Sequence, residues 1–137
     1  MRFLAIYKTA ETGVPPTTEH MMAMGALIDE MTKAGVLLAT EGCLPSVKGA
    51  RVRISNGKLT VTDGPFSEAK EVIGGFALLQ VKSKDEAIEW TKRFLKVAGD
   101  GESEIRQIYE ESDFGDELTP EMRENERRQR AQIGANR

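Results

Sequence analysis

The amino-acid sequence predicts an α+β fold in which helices alternate with short strands. Segments of alternating apolar and polar residues, typical of strands, recur as far as Glu110. Two longer segments carry apolar residues at helical spacing, and an Asn-Gly pair joins two further alternating runs, as in a tight hairpin. A chain of 137 residues is long enough for one domain with an ordinary core.

The first part of the chain predicts a strand, a helix and a second strand. Residues 2–8 alternate as a strand does, and the prolines that follow cannot continue a ladder. Thr17 or Thr18 can cap a helix that Gly35 ends. The apolar positions of this helix recur at spacings of three and four: Met21, Met24, Ile28 and Met31. Residues 36–42 form a nearly continuous apolar run and predict the second strand.

The second part predicts a hairpin, a strand, a helix and a last strand. Asn56-Gly57 lies between two alternating runs within residues 50–64, which predicts a two-residue hairpin turn. Residues 72–81 predict the next strand, and Ser83 with Glu86 forms a capping box that opens a helix. The helix has a buried stripe of Ala87, Trp90, Phe94 and Val97. Residues 103–110 alternate again and predict the last strand.

Both faces of the predicted sheet are apolar. With the hairpin set aside, the order is βαββαβ, the ferredoxin-like arrangement with two helices on one face of an antiparallel sheet. The first strand has Leu4 and Ile6 on one side, and Phe3, Ala5 and Tyr7 on the other. Alternation over residues 72–81 places Ile73, Ala77, Leu79 and Val81 on one side, and Val72, Phe76 and Leu78 on the other. Because two helices cover one face, we expect a homodimer that covers the other.

Composition excludes several classes of protein. The net charge of -3 argues against a general binder of nucleic acid or of anionic membranes. No apolar run approaches the length of a membrane span, and the first residues are too short for a signal peptide, so we expect a cytoplasmic protein. The single cysteine, Cys43, suits a reducing compartment. With one histidine, a zinc site would depend on carboxylates, so we expect no metal and no bound cofactor.

The last part of the chain differs in composition from the rest. Residues 113–137 are rich in charge and poor in apolar side chains, and Thr119-Pro120-Glu121 is a favourable helix start. We therefore divide the chain into a domain at residues 1–112 and a charged tail, helical or partly disordered, at residues 113–137. Two pairs of opposite charge stand four residues apart in this tail: Glu124 with Arg128 and Glu126 with Arg130.

Several motifs resemble those of one known family. The segment DGPFSEAKE at residues 63–71, GGF at residues 74–76 and EAIEW at residues 86–90 stand in the order typical of YCII-related proteins of the DGPF-domain branch. The resemblance covers roughly residues 1–110 and implies a dimeric α+β barrel. Some members have been named as transcription-initiation proteins or found beside sigma factors. The wider group has been suggested to act as enzymes through a His–Asp pair, which His20 and Asp63 would supply here.

The stretch at residues 63–76 allows two interpretations. It lacks the pattern of a nucleotide P-loop. Asp63 can fix a turn with Gly64-Pro65, and Phe66 can anchor that turn in the core, or else Asp63 and Glu71 face a pocket. Gly74 and Gly75 weaken the head of a strand, which predicts a bulge, a close backbone approach across the dimer or the floor of a ligand site.

Other candidate residues lie on strands and on the first helix. Glu104 and Arg106 share one face of the last strand, and Glu41 ends the second strand, so these three could bind an anionic or polar molecule or form a structural ion pair. His20 could act as a general base, or be merely solvated in the first turn of its helix. The methionines of that helix are interpreted as core, and Cys43 as unreactive.

Two functions remain open from the sequence. The first is a homodimer with a small-molecule pocket and, if it is an enzyme, acid–base chemistry by His20 and Asp63 without a cofactor. In that case Glu41, Phe66, Glu71, Gly74, Gly75 and Arg106 are the candidate ligand-binding residues. The second is a non-catalytic regulatory or interaction module, linked to transcription, that uses its tail as a contact segment.

Overall fold

The computed structural model describes residues 1–136. It contains six strands and three helices longer than one turn. They are β1 (Arg2–Thr9), α1 (Thr18–Lys33), β2 (Leu37–Gly42), β3 (Ala50–Ser55), β4 (Lys58–Asp63), β5 (Val72–Gln80), α2 (Lys84–Ala98), β6 (Glu102–Gln107) and α3 (Pro120–Ala135). Two single 3₁₀ turns, Ser46–Lys48 and Glu111–Asp113, follow β2 and β6.

Four strands form the main sheet, in the order β2-β5-β1-β6. All three neighbouring pairs are antiparallel. Without the hairpin, this is the strand order of the ferredoxin-like βαββαβ arrangement, so the predicted α+β class and its antiparallel sheet are confirmed. The hairpin of β3 and β4 forms a separate two-stranded sheet. Its turn is the predicted Asn56-Gly57, whose φ angles of 49° and 78° suit a type I′ turn.

The predicted helix signals are present at α1 and α2. Thr17 Oγ1 accepts a hydrogen bond from the His20 N–H at the start of α1. Gly35, at φ 72°, ends α1, and the Gly35 and Val36 N–H groups return to the carbonyls of Thr32 and Met31, as in a Schellman motif. Ser83 Oγ caps α2, but the Glu86 carboxylate accepts from the N–H of Lys82, one residue before the cap, so the capping box is incomplete.

The core lies between the two helices and one face of the main sheet, which we call the helix-covered face. Its buried residues are Phe3, Leu27, Met31, Val36, Leu79, Val81 and Ala87. The predicted stripe of α2 packs here, with Trp90, Phe94 and Val97 half-buried against these residues. The stripe of α1 is less complete than predicted, because Met21 is exposed.

A bulge at Gly74 changes which side chains share a face of β5. Gly75 pairs with Tyr7 and Ile73 pairs with Lys8, so Gly74 is the extra residue. Leu4 and Ile6 pair with Leu78 and Phe76, on the face opposite the helices. Because the bulge reverses the alternation, Ile73 lies on that face too, and the prediction that it shares a face with Ala77 and Leu79 is wrong.

The face opposite the helices, which we call the open face, has no covering element within residues 1–136. Its apolar residues come from three strands: Leu4, Ile6, Ile73, Phe76, Leu78 and Ala39. Phe76 is 38% exposed and Ile73 is 55% exposed.

The tail forms helix α3, which has no buried residue among those described. Thr119 Oγ1 accepts from the Met122 N–H, and Pro120 occupies the first helical position, as predicted. Glu126 and Arg130 form the expected ion pair at 2.8 Å, whereas Arg128 contacts Asn125 instead. No helix within residues 1–136 combines the length and the apolar character needed to cross a membrane.

Candidate functional site

A cleft of about 610 Å³ opens between α1, α2 and the helix-covered face of the main sheet. Residues of β1, β2 and β5 form its floor, and the two helices form its walls. Its lining runs along α1 from His20 to Met31 and along α2 from Trp90 to Ala98, and includes Pro16 just before α1.

The glycine pair gives the floor its shape. Gly75 is buried, and a Cβ atom there would lie 2.7 Å from the Glu41 carbonyl oxygen and 3.2 Å from Gly42 Cα. A Cβ on Gly74 would meet only side-chain atoms, those of Tyr7 at 3.2 Å and Thr9 at 3.4 Å. The pair therefore provides the predicted bulge at Gly74, and both glycines line the cleft, where the floor of a ligand site stays a prediction. The pair also serves a close backbone approach, but to β2 of the same chain and not across a dimer.

The walls are mainly apolar and aromatic. Helix α1 contributes Met21, Met24 and Ile28, and α2 contributes Trp90 and Phe94. The Phe94 ring meets the Tyr7 ring edge-on, with centroids 5.2 Å apart, and the Tyr7 hydroxyl donates to the Asp100 carbonyl at 3.0 Å. Because that hydroxyl is already bonded, Tyr7 presents its ring to the cleft.

Only a few polar side chains line the cleft. The Thr40 and Thr91 hydroxyls donate to carbonyls of Phe76 and Ala87, at 2.9 and 2.8 Å, so they can only accept from a ligand. His20, half-buried in the first turn of α1, places an imidazole on the wall. Glu41 borders the cleft on β2, but its side chain lies on the open face, in register with Phe76. The arrangement therefore offers apolar walls and one imidazole that can donate or accept a hydrogen bond.

Four of the eight predicted site residues meet at this cleft. They are His20, Glu41, Gly74 and Gly75. The other four, Asp63, Phe66, Glu71 and Arg106, lie outside its lining. His20 and Asp63 therefore do not share the cleft, and the His–Asp pair implied by the family resemblance stays a prediction.

Arg106 belongs to an ion-pair cluster on the open face. Glu104 accepts from Lys8 Nζ at 3.1 Å and from Arg106 Nη1 at 3.4 Å. These two cations, Lys8 foremost, hold the pKa of the Glu104 carboxyl below its usual range. Glu41 also lies on the open face. It does not join the cluster, because Phe76 of β5 and Ile6 of β1 lie between it and Glu104 across the sheet.

The segment at residues 63–66 is structural. A Cβ atom on Gly64 would lie 1.7 Å from the Ser46 carbonyl oxygen, so only glycine fits there. The buried Ser46 receives the Phe66 N–H on its hydroxyl at 3.0 Å. That hydroxyl donates to Glu11 at 2.6 Å, and the Ser46 N–H donates to the same carboxylate at 2.5 Å. We call Glu11, Ser46, Gly64 and Phe66 the hairpin latch, since they hold the base of the hairpin to the loop after β1.

The expected anchoring of Phe66 in the core is wrong. Phe66 is half-buried, and the Arg51 guanidinium lies 3.9 Å from its ring centroid. Arg51 also pairs with Glu68 at 2.7 Å. The ring packs against the hairpin because the latch places the loop beside β3 and away from the helices. Glu71 is exposed.

The aromatic and methionine walls were not recognised as a site from the sequence. The stripes of α1 and α2 have the spacing of ordinary core positions, which does not reveal the cleft between the helices and the sheet. One signal was present, because three methionines on a single helix face adapt well to a variable ligand. Within residues 1–136, no group of three metal-ligating side chains occurs.

Comparisons with known proteins identify the family of this α+β chain. The family model described as the YCII-related domain matches residues 1–112, so the chain belongs to the YCII-related family. An uncharacterised protein of Rhizobium meliloti (strain 1021) is 35% identical over 72 residues, which are 53% of this chain and 58% of that protein. The match thus spans less than two thirds of the relative's length.

The solved structures that are similar to this chain include one at low sequence identity. It is a 5-chloro-2-hydroxyhydroquinone dehydrochlorinase from Burkholderia phenoliruptrix AC1100, in complex with 2,5-dihydroxybenzoquinone. It shares 13% sequence identity with this chain at a TM-score of 0.49, and the match covers 84% of this chain and 100% of that one.

Proposed function

We propose that this protein is a cytoplasmic homodimer of the DGPF branch that binds a small, mainly apolar organic molecule and exchanges a proton with it through His20. The observation that carries this function is the cleft of about 610 Å³, with His20 on its wall and Gly75 in its floor. Its volume lies within the usual range for small-molecule sites.

The lining indicates the class of ligand. Trp90, Phe94 and the ring of Tyr7 offer faces and edges to a flat ring, and Met21 and Met24 adapt to its outline. A ring that carries one ionisable or polar substituent satisfies both the apolar walls and His20. Such a substituent is also the group whose proton a histidine can accept or return.

His20 carries the chemistry without Asp63 in contact. An imidazole in the first turn of a helix is reached from solvent on one side and from the cleft on the other, so it can pass a proton between them. We therefore propose His20 as the general base or acid.

A fluorescent probe tests both the cleft and His20. Anilinonaphthalene sulfonate is aromatic and anionic, and we expect it to bind in the cleft with its sulfonate beside His20. Gly25 lines the cleft with open space beside it, so Gly25→Leu should fill the cleft and lower the affinity at least about tenfold. His20→Ala removes the imidazole from the wall and should also lower the affinity for the probe.

Gly134→Leu is the matched control, because Gly134 is also a helical glycine with open space beside it but lies on α3. Equal probe binding by the two leucine variants would contradict a site in the cleft. Unchanged affinity for the probe in His20→Ala would contradict a contact between His20 and the ligand.

The dimer is proposed from the open face. Phe76, Ile73 and Leu78 leave an apolar surface on the side of the sheet that no helix covers within residues 1–136, and a two-fold partner can cover it with the same surface. This would complete the dimeric α+β barrel. Analytical ultracentrifugation should show a dimer at micromolar concentration, and a stable monomer there would contradict this part of the proposal.

A second candidate function follows from α3. This helix exposes charged residues on all sides and is fastened mainly by Arg123, which donates to the carbonyls of Glu111 and Leu118 at 3.0 and 3.1 Å. A contact segment of a regulatory module, linked to transcription, would have these properties. Removal of residues 113–137 should leave probe binding unchanged if the cleft is the functional site.

A further inference from the structure

The β3–β4 hairpin is amphipathic and leaves its apolar face bare. Val52 pairs with Val61 and Ile54 pairs with Leu59, so these four side chains lie on one face. They are 71%, 66%, 66% and 68% exposed, in the order Val52, Val61, Ile54 and Leu59. The opposite face carries polar residues: Arg51, Arg53, Ser55, Lys58, Thr60 and Thr62. We call the four aliphatic residues the hairpin patch.

The polar face of the hairpin is the one turned toward its own subunit. Arg51 lies on that face and packs on Phe66 while it pairs with Glu68, both in the loop that follows β4. The hairpin latch fixes this orientation, since Ser46 binds the Phe66 N–H and Gly64 donates its N–H to the Gly49 carbonyl at 3.0 Å. The hairpin patch therefore points away from the loop that anchors it, and within residues 1–136 the two strands pair only with each other.

A two-stranded hairpin without cover is marginal in water, so a covering surface is expected. The hairpin patch amounts to on the order of 400 Å², the size at which exposed apolar surface indicates an interface. A stable protein interface buries about 800 Å² on each partner, which the hairpin patch alone does not reach. The open face, with Ile73 55% and Phe76 38% exposed, would add to that area.

We propose that the hairpin is a dimer arm, whose apolar patch packs on the second copy of this chain and extends the interface formed by the open faces. In a two-fold dimer each copy gives one arm and receives one, so two bare apolar surfaces are covered by one association. The proposal rests on the proposed homodimer and adds a second contact to it. It also explains the latch, because an arm must leave its own subunit at a fixed angle.

A lipid surface fits the hairpin less well. Helices and loops that enter membrane interfaces typically present Trp, Phe or Leu beside basic residues that reach the same headgroups. Here the arginines and Lys58 lie on the opposite face from the hairpin patch, and the patch has no aromatic residue. An unrelated protein partner would leave the open face uncovered.

Paired substitutions on the two faces of the hairpin test the arm. The double substitution Ile54→Thr with Leu59→Thr keeps strand propensity but removes apolar surface from the hairpin patch. A two-fold dimer contains two arms, so it loses this apolar contact at both of them. The dissociation constant of the dimer, from sedimentation velocity over a dilution series, should rise at least about 100-fold. The matched control, Arg53→Thr with Lys58→Thr, changes the polar face of the same two strands and should alter the constant less than about threefold.

Hydrogen exchange supplies a second measurement that does not depend on the variants. Amides of residues 50–63 in the unaltered protein should exchange more slowly above the dissociation constant of the dimer than below it. Circular dichroism should confirm that both double variants are folded.

The remaining outcomes separate the arm from the dimer itself. If Leu78→Glu dissociates the dimer while Ile54→Thr with Leu59→Thr leaves it intact, the arm is wrong and the open-face dimer stands. If the unaltered protein is monomeric at micromolar concentration, the proposed dimer is wrong and the arm fails with it. Vesicle flotation tests a membrane contact. The arm is wrong if the protein floats with phosphatidylcholine–phosphatidylglycerol vesicles and if Ile54→Thr with Leu59→Thr abolishes flotation without changing the dissociation constant of the dimer.

Discussion

The two faces of the main sheet have similar side chains but different surroundings. On the helix-covered face, Leu79 is 1% exposed and packs with Phe3 and the helices. One residue earlier on the same strand, Leu78 lies on the open face with Phe76, which is 38% exposed. Apolar residues therefore predict that a sheet face is covered, but they do not show by what. The position of the helices determines which face is covered within the same chain.

The helix-covered face is also the one with spare room. Leu79 and Ala87 are almost fully buried there, whereas the cleft opens over Gly74 and Gly75. We infer that one face binds a small molecule and the other binds a second subunit.

The largest expected effect is on stability, and it distinguishes Leu79 on the helix-covered face from Leu78 on the open face. Leu79→Ala should lower the free energy of unfolding by about 3 kcal/mol, because it opens a cavity in a closed core. Leu78→Ala should lower it by about 1 kcal/mol or less within one subunit, and should weaken the dimer instead. Chemical denaturation at several protein concentrations checks both, since only the loss of a dimer contact depends on concentration. Equal losses in the two variants would contradict the difference between the faces.

A smaller effect is expected at the floor of the cleft. Gly75→Ala places a Cβ atom 2.7 Å from the Glu41 carbonyl oxygen, so β2 and β5 must separate. We expect the free energy of unfolding to fall by about 2 kcal/mol. Gly74→Ala is the control, because its nearest neighbours are the side chains of Tyr7 and Thr9, which can move. Thermal unfolding of the two variants should therefore rank them in that order. The reverse order would mean that the bulge, and not the strand contact, requires the glycine pair.

The smallest effect is expected at the hairpin latch. Hydrogen bonds from the Ser46 hydroxyl and the Ser46 N–H lower the pKa of the Glu11 carboxyl. A carboxyl whose pKa is lower in the folded state stabilises the fold above its ordinary pKa, and that contribution disappears as the pH falls through the folded value. Protection factors for amide exchange at the base of the hairpin, corrected for the intrinsic rate at each pH, should therefore fall in acid, and Glu11→Gln should weaken this dependence. If the protection factors of Glu11→Gln fell in acid as those of the unaltered protein do, the latch would not depend on the ionised carboxylate.

Much of the fold could be predicted from local signals. Thr17, Gly35 and the Asn56-Gly57 turn act through their nearest neighbours in the chain, so the sequence shows them directly. The βαββαβ order follows from the alternation of these elements. The orientation of Ile73 could not be predicted, because a bulge at Gly74 reverses the alternation and depends on the neighbouring strand.

The candidate site was predicted in part. Gly74 and Gly75 were expected near a ligand because they weaken a strand without evident reason, and they do line the cleft. Arg106 was expected beside Glu41, but two strands lie between β2 and β6. Trp90 and Phe94 were interpreted only as core, since helical spacing shows which side chains face inward and not how far the helices stand apart.

Methionine methyl groups offer the most direct test of the cleft as the binding site. Of the six methionines, Met21, Met24 and Met31 line the cleft, whereas Met22 faces outward on the same helix and Met122 lies on α3. Carbon-13 methyl spectra would be recorded during titration with small phenols and benzoates. We predict saturable shifts of the Met21 and Met24 signals, with Met22 and Met122 unmoved. Saturable shifts confined to Met22 or Met122 would contradict a binding site between the helices and the sheet.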